Sequence, residues 1–143
     1  MKRTAVLFLF CIFSNLVFSQ TKRITDSLER RFELATSDTA KFNSLVDLIN
    51  AYRLGNTQKA GEKTQQLLDL SQQMDQPLYK ARAVFYLAIQ KRKEGNYDTA
   101  ITLYQQALPV FEQYNDQANE AAADGSLGIM YWQQEDLVLA TKY

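Results

Sequence analysis

The chain has 143 residues, with 16 Lys and Arg against 16 Asp and Glu, no His and a single Cys. That length suits one domain, and a composition of 46% hydrophobic and 22% charged residues belongs to a folding chain rather than a disordered one. The lack of His removes the commonest general base and metal ligand and every Ser-His or Cys-His nucleophile pair. Balanced charge leaves no basic excess for phosphates, so nucleic acid is not an expected partner.

Lys2 and Arg3 precede an apolar run from Ala5 to Phe18, broken only by Ser14 and Asn15, and Val17-Phe18-Ser19 offers modest side chains to a peptidase. This is the pattern of a secretory signal peptide over residues 1–19, with cleavage after Ser19. The run falls short of the roughly 20 apolar residues that a spanning helix needs, so the mature chain is expected outside the cytoplasm, periplasmic or extracellular, and not inserted in a membrane. Phe8-Leu9-Phe10 precede Cys11 where lipoprotein processing wants small side chains. Cleavage would leave 14 basic residues (16 less Lys2 and Arg3) against 16 acidic, and no cysteine. Packing alone must then stabilise the fold in an oxidising compartment.

Residues 20–38 form the next segment. Leu28, Phe32 and Ala35 share one face of a predicted helix over Thr25–Ala35, suited to covering the end of a stack as a solitary cap.

From residue 39 onward one unit is written almost three times, over 39–76, 77–116 and an incomplete 117–143. At an offset of forty residues isoleucine recurs at 49, 89 and 129 and alanine at 60, 100 and 140; Gly55 matches Gly95; Asn56, Asn96 and Asp136 share a column. Fixed-period repetition decides the fold before any other signal. Each unit reads as two helices. Val84, Leu87 and Ala88 carry helical spacing in the first, and Ala100, Tyr104, Ala107, Leu108 and Phe111 in the second.

Gly55 and Gly95 are expected to end the first helices in the left-handed conformation, and Asn56 and Asn96 to cap the second. In the third unit Glu135-Asp136 keeps the cap and loses the glycine stop. Asp75 with Pro77, and Asn115 with Asp116, mark the starts of further hairpins, Pro77 suiting a first helical turn. Pro109 lies inside a helical pattern that runs on through Phe111 and Tyr114, which predicts a kink rather than a break at a cost of about 3 kcal/mol. Essentially no strand is expected.

The set Leu87-Ala88, Gly95-Asn96-Tyr97, Ala100-Ile101, Tyr104 and Ala107-Leu108 resembles a tetratricopeptide repeat, and Leu127-Gly128-Ile129-Met130-Tyr131 is similar to the first-helix core of that repeat. The spacing is 40 rather than the usual 34, as in the longer-repeat branch. Unit one departs at Asp47, Leu48 and Thr64, and unit three stops eight residues into its second helix at Tyr143. The resemblance implies an all-α solenoid of helix-turn-helix repeats. Physics gives the same core: Ala60, Ala100, Ala140 and Gly128 are small because helices cross there at about 8–10 Å, and Tyr104 and Phe111 fill the space between hairpins, each worth about 1.5–3 kcal/mol on burial. About three units are the minimum for such an array. The unfinished third, with Leu137 and Ala140 uncovered, suggests the N-terminal part of a longer product.

The resemblance also implies a concave groove lined by first-helix positions 2, 5, 9, 12 and 13, counted here from Lys41, Ala81 and Ala121. These are Phe42, Leu45, Ile49, Tyr52 and Arg53; Arg82, Phe85, Ile89, Arg92 and Lys93; and Ala122, Gly125, Ile129, Trp132 and Gln133. The candidate partner-binding residues are Ile49, Tyr52, Arg53, Phe85, Ile89, Arg92, Lys93, Ile129 and Trp132. The isoleucines would form an apolar strip, Tyr52 and Trp132 flat amphipathic contacts, and the cations an attraction for an acidic protein or peptide. Against this stands a plainer reading, in which the isoleucines pack between helices and the cations are solvated. The clamp some family members use for acidic tails needs Lys and Asn where Leu45, Phe85 and the isoleucines stand.

Catalysis is not expected. Asp116 and Glu120 fall one turn apart, a spacing commoner on solvated helix surface than in acid-base pairs. The chain has no phosphate loop, metal-ligand cluster or nucleophile elbow. No cofactor follows. The expected role is a non-catalytic scaffold that binds protein or peptide. The alternatives are the extracytoplasmic sensing region of a signalling receptor, because Asp26-Ser27-Leu28 and Ser37-Asp38-Thr39-Ala40-Lys41 resemble the start of repeat-bearing bacterial sensor kinases, and a structural spacer.

Overall fold

The structure, a computed structural model, describes residues 22–143. The signal-peptide reading of residues 1–19, with Cys11, lies outside the described residues. Helix α1 spans residues 22–34. It is followed by α2 (Asp38–Tyr52), α3 (Thr57–Gln73), α4 (Pro77–Lys93), α5 (Tyr97–Gln113), α6 (Gln117–Gln133) and α7 (Leu137–Ala140). Among the described residues there is no strand. The four helices α3 to α6 are each 17 residues long and start twenty residues apart. The forty-residue sequence repeat is therefore two such helices with two three-residue turns.

The turns explain the pitch. After α4, Gly95 takes φ 80, the Asn96 N–H donates to the Lys91 carbonyl (2.9 Å) and the Gly95 N–H to that of Arg92 (3.1 Å). This pair of bonds is the Schellman closure, which satisfies carbonyls left over at a helix end. The same two bonds recur after α5, from Asp116 to Phe111 and Asn115 to Glu112, and after α6, from Asp136 to Tyr131 and Glu135 to Trp132. Asn115 and Glu135 stand there at φ 53 and 62, and Asp75 after α3 at φ 44. The stop expected to vanish with glycine in the third unit thus persists on Glu135, at a steric cost of about 1–2 kcal/mol.

Gly55 differs from expectation. It is absent from the left-handed positions among the described residues, and both its N–H and that of Asn56 donate to the Tyr52 carbonyl, at 3.1 and 2.7 Å. The turn closes there without the wider Schellman bond, so glycine's freedom is unused. The caps behave as expected. Asn56, Asn96 and Asp136 accept from the backbone N–H three residues on, at 3.0, 3.4 and 3.0 Å.

The chain divides into two compact units, residues up to Lys63 and from Thr64 onward, with α3 running across the boundary. In the first, Leu28 and Phe32 of α1 pack against buried Leu48, Tyr52 and Ala60. In the second, α4 packs on α5, α5 on α6 and α6 on α7. The core of that unit joins Phe85 and Ala88 to Ala100, Tyr104, Ala107 and Phe111, and to Ala123, Leu127 and Met130. The rings of Tyr104 and Phe111 meet Phe85 edge-on at centroid distances of 5.6 and 5.9 Å. Such pairs add about 0.5–1.5 kcal/mol each to the burial term.

Small residues stand where helices approach, Ala100 being fully buried and Ala140 packed on the same core. Gly128 is less constrained than its sequence column suggests. A Cβ there would meet the Ala140 carbonyl oxygen and the Tyr143 backbone at 3.5 Å, ordinary contact, so alanine fits and only a larger side chain is excluded. Helix α5 runs unbroken through Pro109, which sits on its exposed side, where water can satisfy the Gln105 carbonyl that loses its donor.

Candidate partner-binding surface

The nine candidate residues fall into three kinds of environment. Ile49, Tyr52 and Phe85 are core, at 3%, 8% and 5% exposure. Tyr52 is no free aromatic contact: its Oη donates to Glu29 Oε1 at 3.0 Å and its ring lies 5.1 Å from Lys59 Nζ. Phe85 is the hub of the aromatic cluster just described. Both side chains are taken up by packing, and the reason is hydrophobic: in a short helix pair the largest side chains gain most by leaving water.

Arg53, Ile89 and Arg92 are half-buried. Arg53 follows the last residue of α2, its N–H donating to the Ile49 carbonyl at 2.9 Å. Ile89 packs at the margin of the core of its unit. Arg92 has its Nε shut off from water with no hydrogen-bond partner in the protein, an uncompensated donor of the kind that costs about 1–3 kcal/mol. Lys93, the last residue of α4, is exposed.

Ile129 and Trp132 are open, at 51% and 65% exposure, one turn apart on α6. Ala118, Ala122 and Gly125, also exposed, continue the same face at spacings of three and four. The opposite face of α6 supplies Ala123, Leu127, Met130 and Tyr131 to the core. The expected isoleucine strip is therefore not uniform, since Ile49 is inside, Ile89 at the margin and Ile129 outside. Gln134 Nε2 donates to Asp98 Oδ1 at 3.3 Å, which sets the end of α6 beside the start of α5 and so beside the basic end of α4. Leu54, Leu137 and Val138 are further exposed apolar side chains that groove counting missed. Turn and end positions carry no periodic signal that would mark them.

Arg82, a groove position by counting, has a structural partner. Its Nε donates to Asp116 Oδ2 at 2.7 Å, and Asn119 Nδ2 donates to the same oxygen at 2.8 Å. Burial alone would raise the Asp116 carboxyl, but the Arg82 and Asn119 donors and the guanidinium charge outweigh it and hold it below its ordinary value. Asp116 therefore joins α4 to the start of α6 instead of capping α6 with its side chain, and is not the exposed half of a carboxylate pair. Among the described residues no group of three His, Cys, Asp or Glu is placed to hold a metal, and no helix is long and apolar enough to cross a membrane.

Antiparallel helices of equal length, closed by one recurring turn and packed each on the next, define a helical-hairpin repeat protein. Residues 79–143 match the family model of the tetratricopeptide repeat. That stretch carries tetratricopeptide repeats, and it contains the residues from Leu87-Ala88 to Ala107-Leu108 and from Leu127 to Tyr131 on which the resemblance was read. No curated protein matches the chain.

Proposed function

We propose that the protein is a non-catalytic scaffold, exported by its N-terminal segment, that binds a protein or peptide partner across the exposed face of α6 and the basic end of α4. Tetratricopeptide repeats are interaction modules as a family, and residues 79–143 carry them. One observation carries the reading further: Trp132 and Ile129 stand open on a face whose remaining positions, Ala122 and Gly125, leave room for a partner's side chains. An exposed tryptophan with an isoleucine one turn away is the kind of anchor that interface hot spots are made of. Arg92 and Lys93, at the basic end of α4, favour a carboxylate-bearing partner.

The test is capture of a defined partner from a cell-envelope extract of the source organism, wild type against Trp132→Ala with Ile129→Ala, both chains being folded by circular dichroism. Loss of capture is expected; equal capture overturns the surface. Export is tested separately by fusing residues 1–21 to a reporter active only outside the cytoplasm. The receptor reading is favoured by the segments Asp26-Ser27-Leu28 and Ser37-Asp38-Thr39-Ala40-Lys41 alone, and a spanning helix with a kinase module encoded downstream would support it.

A further inference from the structure

The first compact unit holds a helix attached by two half-buried apolar side chains and a set of charged contacts. Helix α1 places Leu28 and Phe32, four residues apart, on Leu48, Tyr52 and Ala60, and both stay only half-buried. Its other large apolar side chains, Ile24 and Leu34, are 52% and 69% exposed, so they add little to the contact. The remaining hold is charge. Glu29 Oε2 accepts from Lys63 Nζ at 3.0 Å while Oε1 accepts from Tyr52. Arg31 pairs with Asp47, and Lys63 Nζ lies 5.4 Å from the Phe32 ring centroid.

The surface under α1 joins apolar and charged groups. Leu48 and Tyr52 offer an apolar floor, Lys59 and Lys63 flank it, and the Tyr52 hydroxyl is a donor at its edge. The complement is an amphipathic helix with two large apolar residues four apart and a carboxylate directly after the first, the pattern of Leu28, Glu29 and Phe32. We propose that this face is a helix-binding site, with α1 as its displaceable resident, and that its partner is a helix of that chemistry. It lies in the other compact unit from α6, and neither surface needs the other to bind.

The full chain and a fluorescent peptide of residues 22–37 make the test. Glu29→Lys sets a cation against Lys63 and Lys59 and should release α1. Hydrogen exchange of the α1 amides is expected to quicken at least tenfold with α2 still protected, and the peptide to bind at least tenfold more tightly than to wild type. Adding Lys63→Glu restores an opposite-charge pair within the chain, so α1 protection should return and peptide binding fall. In wild type, raising salt to about 1 M, where screening acts within about 3 Å, should quicken α1 exchange alone. The proposal is overturned if α1 opens without peptide binding, if Glu29→Lys leaves α1 protected, if the double variant behaves like the single one, or if α2 loses protection together with α1. That last result would make α1 part of the core.

Discussion

Gly95 and Glu135, forty residues apart, hold the same left-handed backbone and close their helices with the same two hydrogen bonds. One is a residue made for that conformation. The other is a charged side chain forced into it by the repeat.

The first prediction separates glycines that look alike in sequence. Gly95→Ala should destabilise by about 1–2 kcal/mol, although a Cβ there meets nothing, because φ 80 is the entire cost. Gly55→Ala, with equally open space and no positive φ, should be neutral or slightly stabilising. Glu135→Gly should stabilise. Urea denaturation of the three variants checks this, and equal losses at Gly55 and Gly95 would contradict the turn geometry.

Pro109→Ala restores a backbone donor in the middle of α5 on its water-exposed side. Proline also stiffens the unfolded chain, an offset of about 0.4–1 kcal/mol, against about 3 kcal/mol for its helix penalty. A rise in Tm is expected. A fall would mean that the proline ring itself contributes to the packing of α5.

Asp116 ties stability to pH. Its folded carboxyl lies below the ordinary 3.8, so the folded state binds the proton less readily than the unfolded one. The contribution is fully present above the unfolded value and is lost as pH falls through the folded one. Wild type should therefore exceed Asp116→Asn by a constant margin between neutrality and about pH 5, a margin that shrinks below about pH 4. Arg82→Ala should remove the same margin. A difference independent of pH would show that the ion pair is idle.

Aromatic truncations should part the core from the candidate surface. Phe85→Ala empties a site ringed by Tyr86, Tyr104 and Phe111 and should cost about 3–5 kcal/mol. Trp132→Ala should stay within about 0.5 kcal/mol, as exposed substitutions do. Chemical denaturation decides between them, and a large loss at Trp132 would place it in packing rather than binding.

Among the turns, sequence marked Asn56, Asn96 and Asp136 as caps because a short polar side chain after a helix end has one obvious local bond to make. It did not distinguish Gly55 from Gly95, or reveal that Asn115 and Glu135 would adopt the glycine conformation, since the closing bonds reach back five residues and depend on where the next helix must go. The binding candidates divide in the same way. Position counting places Ile49, Ile89 and Ile129 in one column, while burial depends on which neighbouring helix covers each.

By itself the sequence determined the helical repeat, its forty-residue period and the recurring alanine of its core at Ala60, Ala100 and Ala140, because these are local or periodic properties that each segment carries in its own side chains. The tertiary structure alone decided that Tyr52 and Phe85 are interior, that Arg82 is bound to Asp116 and that Trp132 is open. Exposure and pairing belong to two segments at once, and a residue far away in the chain supplies the other half.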